Sequence, residues 1–172
     1  MKAFLKNKYL YAAILIIFLY GCIKPGDTPD IPAIKYKDFV TFGKDSAYFY
    51  FTFKDGDGDI GLDNGDTNAP FNSGSKYYDN LIMTYYYKET DGSFHKYFNP
   101  QPTVNDTQTF KYRIPNITPV GQNKILDGEI RVWIDWPYSF FGHKTIKFDA
   151  FIYDRALNKS NVINTSEITV PQ

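Results

Sequence analysis

The fold class is decided by two stretches, YFYFTF at residues 48–53 and IKFDAFIY at residues 146–153. Apolar residues recur at every second position in both, which is the period of a β-strand with one buried and one exposed face. From residue 39 onward the chain repeats such short runs between Gly, Asn, Asp and Pro, and no helical period of any length interrupts them. The pattern predicts an all-β domain.

Eight strands are predicted from these runs and from the turn signals between them. Their number in one small domain favours an immunoglobulin-like antiparallel β-sandwich of seven to eight strands over a small barrel. The sequence TDGS at residues 90–93 contains the Asp-Gly pair of a tight turn, so the strands on either side of it should form a hairpin. The predicted strands are residues 39–42, 47–54, 80–89, 94–98, 108–114, 128–135, 145–153 and 162–170.

The chain begins with the features of a bacterial export signal. Lys2, Lys6 and Lys8 precede the unbroken apolar or aromatic run YLYAAILIIFLY at residues 9–20. A bilayer core needs about 20 apolar residues as a helix, so this run favours a cleaved signal peptide over a permanent span. The run ends in LYGC, which resembles the lipobox of bacterial lipoproteins, and Cys22 is the only cysteine in the chain.

We therefore expect a signal peptide at residues 1–21 and lipidation of Cys22. Lipid on Cys22 would anchor the chain to the outer membrane, on its periplasmic or cell-surface face. The alternative is an ordinary secretory peptide followed by a chance cysteine. Residues 22–38, with three prolines, would be the lipidated cysteine and an extended tether, and residues 39–172 the β-sandwich domain. The alternative for the tether is an edge strand that begins near Ile31.

The charge balance argues against a nucleic-acid partner. The chain has 19 basic and 19 acidic residues, and loss of the leader lysines makes the mature chain mildly acidic. Nucleic-acid binding requires a basic patch, which this composition does not indicate. The partner that the sequence predicts is a membrane, through the lipid anchor.

Directly after the second predicted strand, the chain reads KDGDGDIGLDNGD at residues 54–66. So many carboxylates repel one another unless a cation lies among them, and hard oxygen ligands suit calcium, which takes six to eight of them. The loop is not an EF-hand, because Ile60 stands where that motif has glycine and a strand precedes the loop. We predict a calcium site, and its candidate ligands from this loop are Asp55, Asp57, Asp59, Asp63 and Asp66.

A second loop, DRALNKS at residues 154–160, adds two candidate ligands, Asp154 and Asn158. In an immunoglobulin-like order, the strands before the two loops would both be central, so the loops would emerge at the same end of the sandwich. Ligands from two loops would then clamp that end. The alternative is an acidic solvated hairpin, with Asp154 paired to Arg155 or capping a turn.

The two loops behind a lipobox resemble a family of small uncharacterised Bacteroidetes lipoproteins. Members typically carry a DGDGDIG-like stretch early and a DRAGN-like stretch late, and here these are DGDGDIG at residues 55–61 and DRALN at residues 154–158. Leu157 stands where the second pattern has Gly, which makes Asp154 a less certain ligand than the aspartates of the first loop. The resemblance covers most of the mature chain and implies an envelope β-sandwich without a known reaction.

Residues for catalysis are scarce, and we predict that the protein is not an enzyme. His95 alternates with aromatics in a predicted strand, and His143 lies in a predicted loop. The chain contains no nucleophile elbow, phosphate loop or zinc-protease motif. A hydrolase that uses a pair of carboxylates remains an alternative, because the separation of two carboxylates depends on the tertiary structure.

Aromatic residues outside the core are the main indication of a binding role. In the run YYY at residues 85–87, alternation sends Tyr86 to the face opposite its neighbours. Trp133 is expected to point into the core, and Trp136, which precedes a proline at a strand end, is expected to be exposed. We take Tyr86 and Trp136 as candidate ligand-binding residues. The expected function is a calcium-stabilised, non-catalytic binding or assembly role in the cell envelope, with a glycan or an envelope protein as partner. An alternative is a glycan-binding surface module of a polysaccharide-uptake system.

Overall fold

The computed structural model describes residues 28–98, 107–121, 124–135 and 142–171, and in these residues the chain is all-β, as predicted. None of the described segments is a helix with the length and apolar character needed to cross a membrane. The nine strands are β1 (Ala33–Phe42), β2 (Ser46–Asp55), β3 (Leu81–Lys88), β4 (Phe94–Lys96), β5 (Thr109–Tyr112), β6 (Leu126–Asp135), β7 (Thr145–Ile152), β8 (Ile163–Asn164) and β9 (Ile168–Thr169).

The strands form two antiparallel sheets that pack as a β-sandwich. The first sheet has the order β1-β2-β6, and the second has the order β4-β3-β7-β8, with β5 also paired to β3 and β9 also paired to β7. The strands β2 and β7, which carry the two stretches with the clearest alternation, are both central. The predicted hairpin is confirmed, because β3 pairs with β4 and Gly92 in the turn has a φ of 87°.

Alternation along β2 and β7 builds the core between the sheets. Every second residue of each strand points inward and is at most 5% exposed, and a fully buried side chain of this kind contributes about 1.5–3 kcal/mol. The inward rows are Ala47, Phe49, Phe51 and Phe53 from β2, and Ile146, Phe148, Ala150 and Ile152 from β7.

The first strand begins six residues earlier than the predicted strand at residues 39–42. Ala33 pairs with Lys54 at the far end of β2, so residues 33–38 belong to the sheet and not to a tether. The side-chain amide of Asn161 also binds both main-chain groups of Ile34, donating to its carbonyl and accepting from its N–H. The edge-strand alternative therefore describes this segment. Residues 1–27, including the expected signal peptide and Cys22, lie outside the described residues.

The last predicted strand, at residues 162–170, is two short strands, β8 and β9. Between them the hydroxyl of Thr165 accepts the N–H of Phe148 at 2.9 Å, in the place that a main-chain carbonyl takes in a regular ladder. The Thr165 hydroxyl therefore replaces a main-chain acceptor, which keeps the hydrogen bond of Phe148 but interrupts the regular strand. Threonine side chains often bind main-chain groups in this way. This interruption accounts for nine strands where seven to eight were predicted.

Candidate metal centre

The inward rows of the two central strands both end in a buried carboxylate. Asp55 continues the row of Phe51 and Phe53 in β2, and Asp154 continues the row of Ile152, two residues beyond β7. Asp55 is 0% exposed and Asp154 is 2% exposed. Because side chains alternate with a period of two residues, the parity that buries the phenylalanines also buries these acids. The prediction that the two loops emerge at the same end is confirmed.

Asp59 joins the two loops and completes a cluster of three carboxylates. Its N–H donates to Oδ2 of Asp55 at 2.9 Å, its own Oδ2 accepts the N–H of Ala156 at 2.9 Å, and its carbonyl accepts the N–H of Arg155 at 3.2 Å. One carboxylate oxygen from each of Asp55, Asp59 and Asp154 lies within 4.8 Å of the other two. Oxygens that share one calcium ion at about 2.4 Å can be at most about 4.8 Å apart, so these three can share one.

Three carboxylate oxygens at this end of the sandwich are buried and have no hydrogen-bond partner. They are Oδ1 of Asp55, Asp57 and Asp59. No Lys, Arg or His of the described residues forms an ion pair with any of these acids or with Asp154. Buried carboxylate oxygens without a partner are strongly unfavourable, and a cation bound by Asp55, Asp59 and Asp154 would supply the missing counter-charge.

The electrostatics of the cluster reflect this missing counter-charge. Burial raises the pKa of Asp55 to about 7, and the charges of Asp57, Asp59 and Asp154 add to the shift. Burial and the Asp154 carboxylate raise the pKa of Asp59 to about 6. Burial also raises the pKa of Asp154 itself. At neutral pH the cluster therefore favours taking up either protons or a cation.

Two glycines allow other segments to close over the acidic loop. A Cβ on Gly58 would lie 1.7 Å from the carbonyl oxygen of Lys124, and a Cβ on Gly61 would lie 2.0 Å from that of Pro115. Both glycines also have a positive φ, 66° and 98°, which other residues rarely adopt. Ile60 between them is fully buried. The glycines of the DGDGDIG stretch thus serve close packing, while Asp55 and Asp59 belong to the carboxylate cluster and Asp57 lies outside the group of three.

Asp63 and Asp66 lie outside the cluster, contrary to the prediction that they are ligands. Asp66 accepts from both terminal nitrogens of Arg155, at 2.5 and 3.2 Å, and Oδ2 of Asp63 lies 3.8 Å from the same guanidinium. The hydrogen bonds from Arg155 lower the pKa of Asp66. Arg113 adds bonds to the main-chain carbonyls of both aspartates. A guanidinium therefore takes the role of the cation for this half of the loop.

Asn158, which was predicted to be a ligand, orients Asp154 in the cluster through two hydrogen bonds. Its N–H donates to Oδ1 of Asp154 at 2.7 Å and its side-chain Nδ2 donates to Oδ2 at 2.9 Å. Leu157 makes this turn possible with a φ of 69°, the left-handed conformation that a glycine would adopt. The substitution of Leu for Gly therefore leaves the turn in place, and Asp154 remains in the cluster.

Tyr86 does not present an open aromatic face. It is half-buried, its hydroxyl donates to Oδ2 of Asp149 at 2.7 Å, and the ammonium groups of Lys96 and Lys147 lie 5.9 and 5.5 Å from its ring centroid. Burial and Asp149 raise the pKa of Tyr86 to about 12. Trp136, the other candidate ligand-binding residue, lies outside the described residues.

The exposed aromatic surface lies instead on the first sheet, and sequence reasoning missed it. Trp133, expected in the core, is 43% exposed because it pairs with Tyr48, and directly paired residues of antiparallel strands share a face. The next residue, Ile134, takes the core position. Phe42, 48% exposed, stacks on Trp133 with ring centroids 5.7 Å apart, and Tyr48 meets both rings edge-on. We call Phe42, Tyr48 and Trp133 the outer aromatic cluster.

The two histidines lie away from the carboxylate cluster. The Nδ1 atom of His143 and the hydroxyl of Tyr85 form a hydrogen bond of 3.0 Å. The ring of His143 stacks on Tyr87. Burial lowers the pKa of His143, which favours the neutral ring. His95 is exposed and contacts Ser93.

Comparisons of the chain with protein-family models, with curated proteins and with solved structures gave no match.

Proposed function

We propose that the protein is a lipid-anchored component of the bacterial cell envelope with a non-catalytic binding or assembly role, and that its β-sandwich is stabilised by calcium. The ion would bind between Asp55, Asp57, Asp59 and Asp154. The observation that carries the proposal is the buried, partnerless Oδ1 of Asp55, which lies within reach of carboxylates from two loops.

The donor set favours calcium over other biological metals. All donors are carboxylate oxygens, which suit a hard cation, and neither Cys nor His takes part, as zinc or copper would prefer. Magnesium usually keeps several of its waters, whereas the oxygens here are buried and closely spaced. Calcium also accepts irregular geometry, which suits ligands supplied by two separate loops.

A structural role for the ion follows from where its ligands are attached. Asp55 ends β2 of the first sheet, and Asp154 follows β7 of the second. An ion held by both would link the two sheets at one end of the sandwich. The energy of binding would then add to the free energy of unfolding, because the unfolded chain cannot assemble the site.

The anchoring part of the proposal rests on the sequence of residues 1–22. Its test is expression of the full chain in a bacterial host with labelled palmitate. We expect label in the wild type and none in Cys22→Ser, with matched export of both. Label in the variant, or an unlabelled wild type, would contradict lipidation of Cys22.

Thermal unfolding with calcium and with chelator tests the ion. Because all described contacts lie within residues 28–171, a chain that starts at Ile23 keeps the whole described fold. A ligand at a hundredfold over its Kd adds about 2.7 kcal/mol, which raises the midpoint by several degrees. We expect this rise in the wild type and not in Asp57→Ala/Asp59→Ala. Asp63→Ala, in the same loop but outside the cluster, is the matched control and should keep the rise.

A midpoint that is indifferent to calcium would contradict the site. A rise with magnesium equal to that with calcium would contradict the choice of ion. A rise that survives in the double variant would place the ion elsewhere.

A second candidate function, glycan binding, is favoured by the outer aromatic cluster. Exposed aromatic rings can stack on sugar rings, and Asp135 and Arg131 flank these rings with polar groups. Titration with soluble bacterial and plant polysaccharides, followed by intrinsic tryptophan fluorescence, tests this candidate. We expect binding to be lost in Trp133→Ala and kept in Tyr86→Ala. Equal loss in both variants would contradict a site at the cluster.

A further inference from the structure

Strand β6 is an edge of the first sheet, and the two edges of that sheet are built differently. The edge strand β1 has a bulge between Tyr36 and Asp38, and the side chain of Asn161 binds both main-chain groups of Ile34. Bulges and covering side chains are the usual means by which proteins prevent an edge from pairing. The ten residues of β6 instead run in unbroken register with β2. Among the described strands, β6 is the long edge that lacks a bulge.

The direction of the main-chain groups on β6 follows from Ile34 on β1. Asn161 binds both main-chain groups of Ile34, so these groups point away from Phe53, its partner on β2. In an antiparallel ladder, directly opposite residues exchange either both hydrogen bonds or none, and alternate residues point their N–H and C=O to the same side. Phe53 therefore points its groups at Gly128 on β6, and the groups of Asp127, Glu129, Arg131 and Trp133 point outward, where they can accept a further strand.

We propose that β6 pairs in antiparallel fashion with β6 of a second copy of this chain, so that two three-stranded sheets become one six-stranded sheet. The charges along β6 are self-complementary in one register. With the two-fold axis at Ile130, Glu129 lies opposite Arg131 of the partner subunit, and Arg131 lies opposite Glu129 of the partner subunit. Opposite charges in directly paired positions stabilise a sheet, and like charges destabilise it.

Neighbouring registers are unfavourable, which makes the pairing specific. An axis at Glu129 places Asp127 opposite Arg131 of the partner subunit but also places the Glu129 carboxylate against its own copy, whereas the axis at Ile130 creates no like-charge pair. An axis at Arg131 places the guanidinium against its own copy and Asp127 against Asp135. Moving the axis two residues in either direction from Ile130 opposes acid with acid. Registers whose axis lies between two residues are excluded by side-chain orientation, because they would pair inward-facing with outward-facing residues.

Glu129 and Arg131 lie on the outer face of β6 and not in the core, and each contacts a neighbouring side chain of its own sheet. The side chain of Glu129 is 36% exposed, and its Oε2 contacts Lys37 on the same outer surface. The guanidinium of Arg131 lies 4.6 Å from the ring centroid of Tyr48, which holds it flat on the outer face. Both side chains therefore project from the surface that the second copy would extend.

This pairing names a partner for the assembly role and does not depend on the calcium site, because the axis at Ile130 lies in the middle of β6. Sedimentation equilibrium of the chain starting at Ile23, with calcium present, measures it. We expect a concentration-dependent dimer that weakens at high salt, since the paired charges are exposed. Glu129→Arg alone and Arg131→Glu alone should each weaken dimerisation by at least about tenfold, because each creates two like-charge contacts.

Reversing both charges distinguishes a loss of pairing between the two copies from misfolding of a variant, because only the former is restored by the second charge change. The double variant Glu129→Arg/Arg131→Glu should dimerise like the wild type. An equimolar mixture of the two single variants should form the heterodimer that neither forms with itself. Thermal midpoints measured in parallel verify that each variant is folded.

A wild type that stays monomeric into the high micromolar range overturns the proposal. Single variants that dimerise as well as the wild type, or a mixture that gives no heterodimer, overturn the register. If calcium does not change the thermal midpoint but the wild type still dimerises, the calcium site is contradicted and the β6 interface is supported.

Discussion

The acidic loop at residues 54–66 has two halves with similar composition and different counter-charges. In the first half, Asp55 and Asp59 meet Asp154 with no basic side chain among the described residues to pair with them. In the second half, Asp63 and Asp66 lie on the guanidinium of Arg155. The difference teaches that the density of aspartates in a sequence does not show which of them form a cluster, because a nearby arginine can pair with some of them.

The largest expected effect is a difference in stability between a Gly→Ala variant in each half of the loop, because the two glycines are packed differently. Gly58→Ala should destabilise the protein by about 3–5 kcal/mol, because the new Cβ meets the carbonyl of Lys124 and the residue keeps a φ of 66°. Gly65→Ala, in the second half, has open space around its Cβ and should change stability by less than about 0.5 kcal/mol. Chemical denaturation measures both. Equal effects would mean that the first half is not packed as described.

The two halves should also respond to pH with opposite sign. In chelator, the raised pKa values of Asp55, about 7, and Asp59, about 6, mean that the folded chain holds protons that the unfolded chain has released. Stability should therefore be greatest near pH 4 and fall by a few kcal/mol as pH rises to about 7. Asp66 has a lowered pKa, so it adds stability above pH 4 and loses it in acid.

Calcium should reverse the trend of the first half, because the bound ion stabilises the ionised carboxylates. Midpoints measured from pH 4 to pH 8, with calcium and with chelator, should diverge as pH rises. Parallel curves would contradict an ion bound to these acids.

Asp55→Asn and Asp66→Asn form a matched pair with a smaller effect. Asp55→Asn should abolish the calcium stabilisation of about 2.7 kcal/mol at a hundredfold over Kd, and should stabilise the chelated protein at pH 8 by removing a buried charge. Asp66→Asn should keep the calcium response and lower stability by about 1 kcal/mol at every calcium level, because it breaks the pair with Arg155. Loss of the response in Asp66→Asn would extend the site into the second half.

The smallest expected effect concerns the loop that serves both halves. Leu157→Gly should stabilise the protein by less than about 1 kcal/mol, since relief of the strain of a left-handed Leu outweighs the entropy that Gly adds to the unfolded chain. Leu157→Val should destabilise, because a β-branched residue tolerates this φ poorly. If the two variants behave alike, the turn does not hold Leu157 in that conformation.

Much of this architecture could be predicted from alternation alone. The parity of YFYFTF assigns Phe49, Phe51 and Phe53 to the core, and the same parity carries Asp55 inward. The burial of Asp154 follows in the same way from that of Ile152. The parity of EIRVWI at residues 129–134 likewise places Trp133 on the outer face, and the expectation that it points into the core was wrong.

Other features could not be read from the chain, because they depend on contacts between loops. Arg155 reaches back to Asp66 across 89 positions, and its proximity in sequence to Asp154 gave no sign of this choice. Tyr86 was expected to be exposed, but Lys96 and Lys147 cover its ring. These two lysines come from the strands on either side of β3. Pair distances of this kind are set by packing, not by local propensity.

The sequence by itself determined the all-β class, the central strands and which residues of each strand face inward, because the two-residue period of a strand is a local property of the backbone. Only the tertiary structure decided which acids share a centre and which pair with arginine, and which edge of the first sheet has a bulge. Those outcomes depend on where loops close in space, and loop closure is governed by contacts between distant residues that no local pattern encodes.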